Sequence, residues 1–140
     1  MRILAVTPYY DPEGGGLERY AHEVLRRLAS RGHDVEALAS TRTQLADGDH
    51  DGVHVARRRP WFALGNSPID PELPGRVTHA IRRLAPDLVV AHTPVPFPAE
   101  MAFLAARKAG VPFVATYHAG CLRGSSRRLG ALAAINRSTL

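Results

Sequence analysis

RILAVT (2–7), PYYDPEGGG (8–16) and LERYAHEVLRRLASRG (17–32) stand in succession at the head of the chain, and they decide the fold. The first is a short apolar run that reads as a buried strand. The second carries two prolines and three glycines, so the strand is expected to stop at Thr7. In the third, Leu17, Ala21, Val24, Leu25 and Leu28 recur at helical spacing. Glu18, Arg19, His22, Glu23, Arg26 and Arg27 fall on the opposite face. Gly32 ends that helix where a positive φ is wanted. Glycines at a helix start let backbone approach a ligand, and the first helical amides, without partners of their own, point at an anion. The same turn also serves for simple packing of helix on strand.

Working outward, Asp34–Ser40 reads as a second strand, Thr41 to Gly52 as a polar loop, and Val53–Arg57 as a short third strand near an edge. Arg58 to Asp70 reads as an irregular loop, packed in part through Trp61 and Phe62. A helix is expected from Pro71 to Leu84, burying Leu73, Val77, Ile81 and Leu84 and leaving Arg76, His79, Arg82 and Arg83 outside. Leu88–His92 is a fourth strand, Pro98 opens a helix that Gly110 closes, and Pro112–Tyr117 is a fifth strand. Ser125 or Ser126 caps a last helix, with Leu129, Leu132 and Ala133 inward.

Strands alternating with helices imply an α/β, Rossmann-like, doubly wound parallel sheet covered on both faces. The expected order is 3-2-1-4-5, from right-handed crossovers, in one domain of 140 residues. A ligand then belongs beyond the carboxyl ends of strands one and four, where the winding reverses. The loops meeting there hold Tyr9, Glu13 and Gly14–Gly16, then His92 and Thr93, then Thr116, His118 and Arg123.

Other chemistries fit poorly. The dinucleotide fingerprint G-x-G-x-x-G fails, because Arg19 stands at its third glycine and the second strand ends in Ser40-Thr41-Arg42 without an acid. There is no G-x-x-x-x-G-K-[ST] and no G-x-S-x-G. His92, His118 and Cys121 are too few, and too poorly paired, to predict a metal site. Cys121 is the only cysteine, which excludes an internal disulfide and suits a reducing cytoplasm. The net charge of +5 is nearly all arginine, with Lys108 the single lysine. Aromatic residues do not interleave with the arginines, so no nucleic-acid partner is expected. Arg76, Arg82 and Arg83 could instead rest on the anionic inner face of a membrane as a peripheral contact, or form a solvated helix face. No apolar run reaches membrane-spanning length.

Four motifs, in this order, resemble the N-terminal half of the retaining glycosyltransferases of the GT-B fold, the group that includes phosphatidylinositol mannosyltransferase-like and sucrose synthase-like enzymes. They are Gly15-Gly16-Leu17-Glu18-Arg19, Arg31-Gly-His-Asp-Val35, Pro86-Asp-Leu-Val-Val-Ala-His92 and Pro112-Phe-Val-Ala-Thr-Tyr-His118. The resemblance implies an acceptor-side domain facing a separate donor-binding domain across a cleft. It implies that Gly15 and Gly16 lie against the diphosphate of a nucleotide-sugar donor and that His118 lies beside the transferred hexose. It implies that Tyr9, Thr93 and Arg123 contact a lipid, polysaccharide or small-molecule acceptor. It further implies transfer with retention, no cofactor and no required metal. The chain ends at Leu140, short of a C-terminal domain, so a fragment with little activity of its own is expected. A stand-alone module that binds a phosphorylated ligand without catalysis is the alternative.

Overall fold

The computed structural model describes residues 1–118. Its elements run β1 (Arg2–Tyr9), α1 (Gly16–Ser30), β2 (Asp34–Ser40), β3 (Gly48–His50), β4 (Val53–Arg58), β5 (Phe62–Leu64), β6 (Ser67–Ile69), α2 (Leu73–Leu84), β7 (Leu88–Thr93), α3 (Pro98–Ala109) and β8 (Phe113–Tyr117). The main sheet has six strands in the order β3-β4-β2-β1-β7-β8. All pairs are parallel except β3 with β4. The α/β, Rossmann-like expectation therefore stands, with its five strands in the expected order and one antiparallel edge strand added. Arg123, Cys121 and the helix expected after Ser125 lie outside the described residues.

Side-chain alternation on β1 sorts the core into two layers. Leu4 and Val6 join Leu38, Val89 and Ala91 beneath α2 and α3, which contribute Val77, Ile81, Ala102 and Ala106. Ile3 and Ala5 face the other way and join Val35, Ala37, Val53, Val55 and Leu25 of α1. Alanines on the buried stripe of α3 let that helix sit close to the sheet.

Three local expectations are corrected. β1 continues through Pro8 to Tyr9. The β1–β2 register shifts between Val6 and Tyr9, and a proline, having no N–H to pair, is tolerated at such an irregularity. The stretch from Thr41 to Gly52 contains β3, and the loop from Arg58 to Asp70 folds on itself as the β5–β6 hairpin. Trp61 and Phe62 do not pack inward; they are 70% and 52% exposed.

The arginines of α2 are also not a free outer face. Arg83 pairs with Glu36 of β2, whose side chain is only 6% exposed. Arg76 pairs with the buried Asp70 at 3.3 Å. Burial pushes the Arg76 pKa down, and the Asp70 carboxylate works against that shift. The physical reason is that a buried carboxylate needs a cation, and α2 supplies one to each. Arg82 alone of the three is exposed and free of such a pairing among the described residues. We expect Arg83→Ala to destabilise the chain by about 2 kcal/mol, since it strands the Glu36 charge while half the lost guanidinium was already in water. Arg82→Ala should change stability by less than about 0.5 kcal/mol. Urea denaturation of the two variants compares them directly.

Candidate functional site

The site forms where β1 and β7 end side by side and α1 begins. Gly14 takes φ +113. A Cβ there would meet Glu18 Cγ at 2.5 Å, so the position needs glycine on both counts. Gly15 is the N-cap of α1, and its N–H donates to Glu18 Oε2 at 2.7 Å. Glu18 is itself buried, so it braces the turn from inside. Gly16 has open space where a side chain would go. These residues line a cleft of about 350 Å³ whose far wall holds Arg42, Asn66 and Val95. Arg42 Nη2 donates to Asn66 Oδ1 at 3.2 Å, and the guanidinium lies 4.2 Å from the centre of the Tyr9 ring. Helix-start amides facing an arginine make a cleft suited to an anion.

Glu13 does not face the cleft as a reactive group. Its carboxylate accepts from the backbone N–H of Arg42 at 3.0 Å and of Thr43 at 2.7 Å, and from the Thr43 hydroxyl. Partial burial pushes its pKa up, but the hydrogen bonds from Thr43, Thr41 and Arg42 outweigh that and hold it below the usual carboxylate range. Glu13 is a latch: it ties the glycine loop to the end of β2 and so carries Arg42 to the cleft.

His92 and His118 sit at the ends of β7 and β8. His92 Nδ1 and His118 Nε2 are 2.8 Å apart, and the His118 backbone N–H donates to the Thr93 carbonyl at 2.9 Å. The ring of Tyr20, from the first turns of α1, meets His118 edge-on at 4.7 Å. The Glu18 carboxylate, which braces the glycine turn, also acts on His118 electrostatically. His92 is buried and its Nε2 has no partner among the described residues. A buried lone pair costs less than a buried unpaired N–H, so hydrogen-bond accounting makes His92 Nδ1–H the donor to His118 Nε2. His118 then carries its proton on Nδ1, free to donate outward.

Burial, and secondarily the neighbouring His118, push the His92 pKa down to about 4. Burial also lowers the His118 pKa, opposed by the Glu18 carboxylate. Both rings are thus neutral at pH 7, and the pair acts by hydrogen bonding rather than by charge.

The remaining expected residues are placed as follows. Tyr9 is buried, its hydroxyl without a partner among the described residues, and it lines a separate hollow of about 260 Å³ with Arg42, Arg59, Trp61 and Phe62. Thr93 is buried, its hydroxyl donating to the Thr116 carbonyl at 3.3 Å. Thr116 pairs with His92 across the β7–β8 ladder. Arg123 lies outside the described residues. The sequence reading missed Arg42, Asn66 and Tyr20. Only Tyr20 left a signal, an aromatic one turn into a helix that begins on glycines.

The family model of Glycosyltransferase Family 4 matches residues 14–139. The chain belongs to this family. It is a GT-B-type glycosyltransferase domain, and the glycine turn and both histidines lie within the matched stretch. Among solved structures, the fold is similar to the C-terminal domain of a hydrogenase from Pyrococcus furiosus, at 17% identity and a TM-score of 0.55 over 81% of this chain and 88% of that one. Identity that low carries the fold alone. No match is found among the curated proteins.

The lowered pKa of His92 has a consequence for stability. An unfolded histidine titrates near about 6.5, so between there and the folded value the unfolded chain binds the extra proton. The contribution is complete above pH ~6.5 and drains away as the pH falls toward the folded value, by roughly 3 kcal/mol in all. Urea midpoints for wild type and His92→Asn should therefore converge or cross between pH 7.5 and 4.5. Parallel pH profiles would show that His92 is not buried neutral.

Proposed function

We propose that this chain is the acceptor-side domain of a retaining hexosyltransferase, of the phosphatidylinositol mannosyltransferase-like and sucrose synthase-like group. What supports the reading is one juxtaposition: the helix-start amides of Gly15 and Gly16, the guanidinium of Arg42 and the neutral pair His92–His118 share one end of the sheet. The amides and Arg42 hold the diphosphate of a nucleotide sugar. Glu18 gives up the Gly15 N–H as the phosphate arrives, because two anions cannot share one donor. His118 donates its Nδ1–H to a hydroxyl of the transferred hexose and fixes the sugar against the leaving group.

The bond from the anomeric carbon to the diphosphate oxygen breaks, and the diphosphate keeps the electron pair. The acceptor hydroxyl attacks from the same face and gives its proton to the departing diphosphate. No carboxylate base, cofactor or metal is needed for that step. A separate C-terminal domain binds the nucleotide and closes the cleft against water. The acceptor approaches past Tyr9, Thr93 and Arg123. The hollow between Tyr9 and the exposed Trp61 and Phe62 suits the apolar face of a sugar ring or a lipid-linked acceptor. The enzyme works in the cytoplasm. With Arg76 and Arg83 committed to internal carboxylates, contact with an anionic membrane surface falls to the β5–β6 hairpin and the adjacent Arg58 and Arg59.

A radiolabelled-sugar transfer assay tests the reading. A longer chain carrying a second α/β domain should transfer sugar with retained anomeric configuration, and residues 1–140 alone should give little or none. Equal activity in both would defeat the two-domain requirement, and an inverted product would defeat the mechanism. Gly16→Val should fold normally, given the open space at that position, and lower donor affinity at least tenfold. His118→Ala should cut kcat at least tenfold with a smaller change in KM. Donor binding that survives without any transfer would favour a module that binds phosphorylated ligands.

A further inference from the structure

Tyr20 and His22 are two residues apart on α1, about 200° around the helix, so they face opposite ways. Tyr20 turns to the histidine pair of the transferase cleft. His22 turns to a second cluster that the proposed transfer chemistry does not use. Asp11 follows β1, His22 comes from α1, and His50 ends β3. One ligand atom from each lies within 4.8 Å of the other two. His50 Nε2 is 3.4 Å from Asp11 Oδ2, and His22 Nε2 is 3.2 Å from Asp51 Oδ2. The two imidazole centroids are 4.9 Å apart.

We propose that Asp11, His22 and His50 bind a divalent transition-metal ion of the zinc class, with Asp51 as fourth ligand. Two imidazoles and two carboxylates are the borderline donor set that suits Zn²⁺, and together they neutralise a dication. Around a tetrahedral zinc, bound atoms stand about 3.3 Å from one another. The 3.4 Å separation of His50 and Asp11 meets that spacing, while Asp51, 3.2 Å from His22 Nε2, lies outside the three-residue group and has to swing in to complete the shell.

The surroundings match a metal site as well. The Tyr10 hydroxyl is 3.1 Å from His22 Nδ1, and its ring meets both imidazoles edge-on. At that distance the Tyr10 hydroxyl can accept the Nδ1–H of a His22 that ligates through Nε2. Arg57 Nη2 donates to the Asp11 carbonyl at 3.0 Å and holds that residue in place. The competing account is two separate histidine–carboxylate contacts. One ion would serve all four groups at once. Its role is structural: it staples the antiparallel edge hairpin and the glycine loop to α1, behind the anion cleft.

The test uses the full chain, stripped with chelator and titrated with Zn²⁺ by calorimetry and with Co²⁺ by visible absorption. One equivalent of Zn²⁺ should bind, thermal stability should rise with it, and Co²⁺ should give the intense d–d bands of a tetrahedral site. His50→Gln and Asp11→Asn, both at partly exposed positions, should weaken Zn²⁺ binding at least tenfold while leaving the far-ultraviolet circular dichroism of the apo protein unchanged. Asp51→Asn should weaken it less. His54→Gln, on the same hairpin, and His118→Gln, in the other cluster, should bind as wild type does. No binding above that of His50→Gln, equal binding by His50→Gln and wild type, or loss of binding in His118→Gln in place of His50→Gln would overturn the assignment.

Discussion

The structure depends on the burial of β1 between two parallel partners. Its Ile3–Val6 segment is hydrogen-bonded to β2 on one edge and to β7 on the other. An apolar strand with no exposed edge must have every peptide group paired, and only a strand on each side achieves that. The chain satisfies β1 first with β2 and later with β7, so the winding reverses at its carboxyl end. The crevice there is a by-product of that pairing, and α1 begins in it because α1 follows β1 directly. The location of the anion cleft is thus fixed by backbone hydrogen bonding before any side chain of the site is chosen.

Charge is organised from the inside. Glu36 and Asp70 are buried carboxylates, and they recruit Arg83 and Arg76 from what reads as a solvent face of α2. Glu18 and Glu13 are used in the same economical way, one bracing the glycine turn and the other tying it to the end of β2. A carboxylate that accepts backbone N–H groups fixes loop geometry better than an apolar contact, because its hydrogen bonds are directional. The cleft consequently has walls of backbone and one cation, Arg42, stacked on Tyr9 and bonded to Asn66.

Helix α1 separates two polar clusters. On one side, two neutral histidines meet under burial beside the glycine turn. On the other, two histidines meet two aspartates around the Tyr10 hydroxyl. The first depends on rings whose charging near pH 7 is disfavoured by burial. One helix keeps the two clusters apart.

Residue periodicity alone determined the five parallel strands, the three described helices, the order of those strands and the end of the sheet where the glycines belong. Those follow from local spacing and from pairing rules that any parallel sheet obeys. The motifs from Gly15 to His118 also carried the family. The tertiary structure decided which of the polar residues meet. Arg42 and Asn66 reach the cleft because Glu13 and the β5–β6 hairpin carry them there, and no spacing in the sequence marks either one. The edge strand β3 and the pairing of His22 with residues 28 and 29 positions away were equally hidden. Contacts of that range are set by how loops close over a finished sheet, and a linear pattern holds no record of that closure.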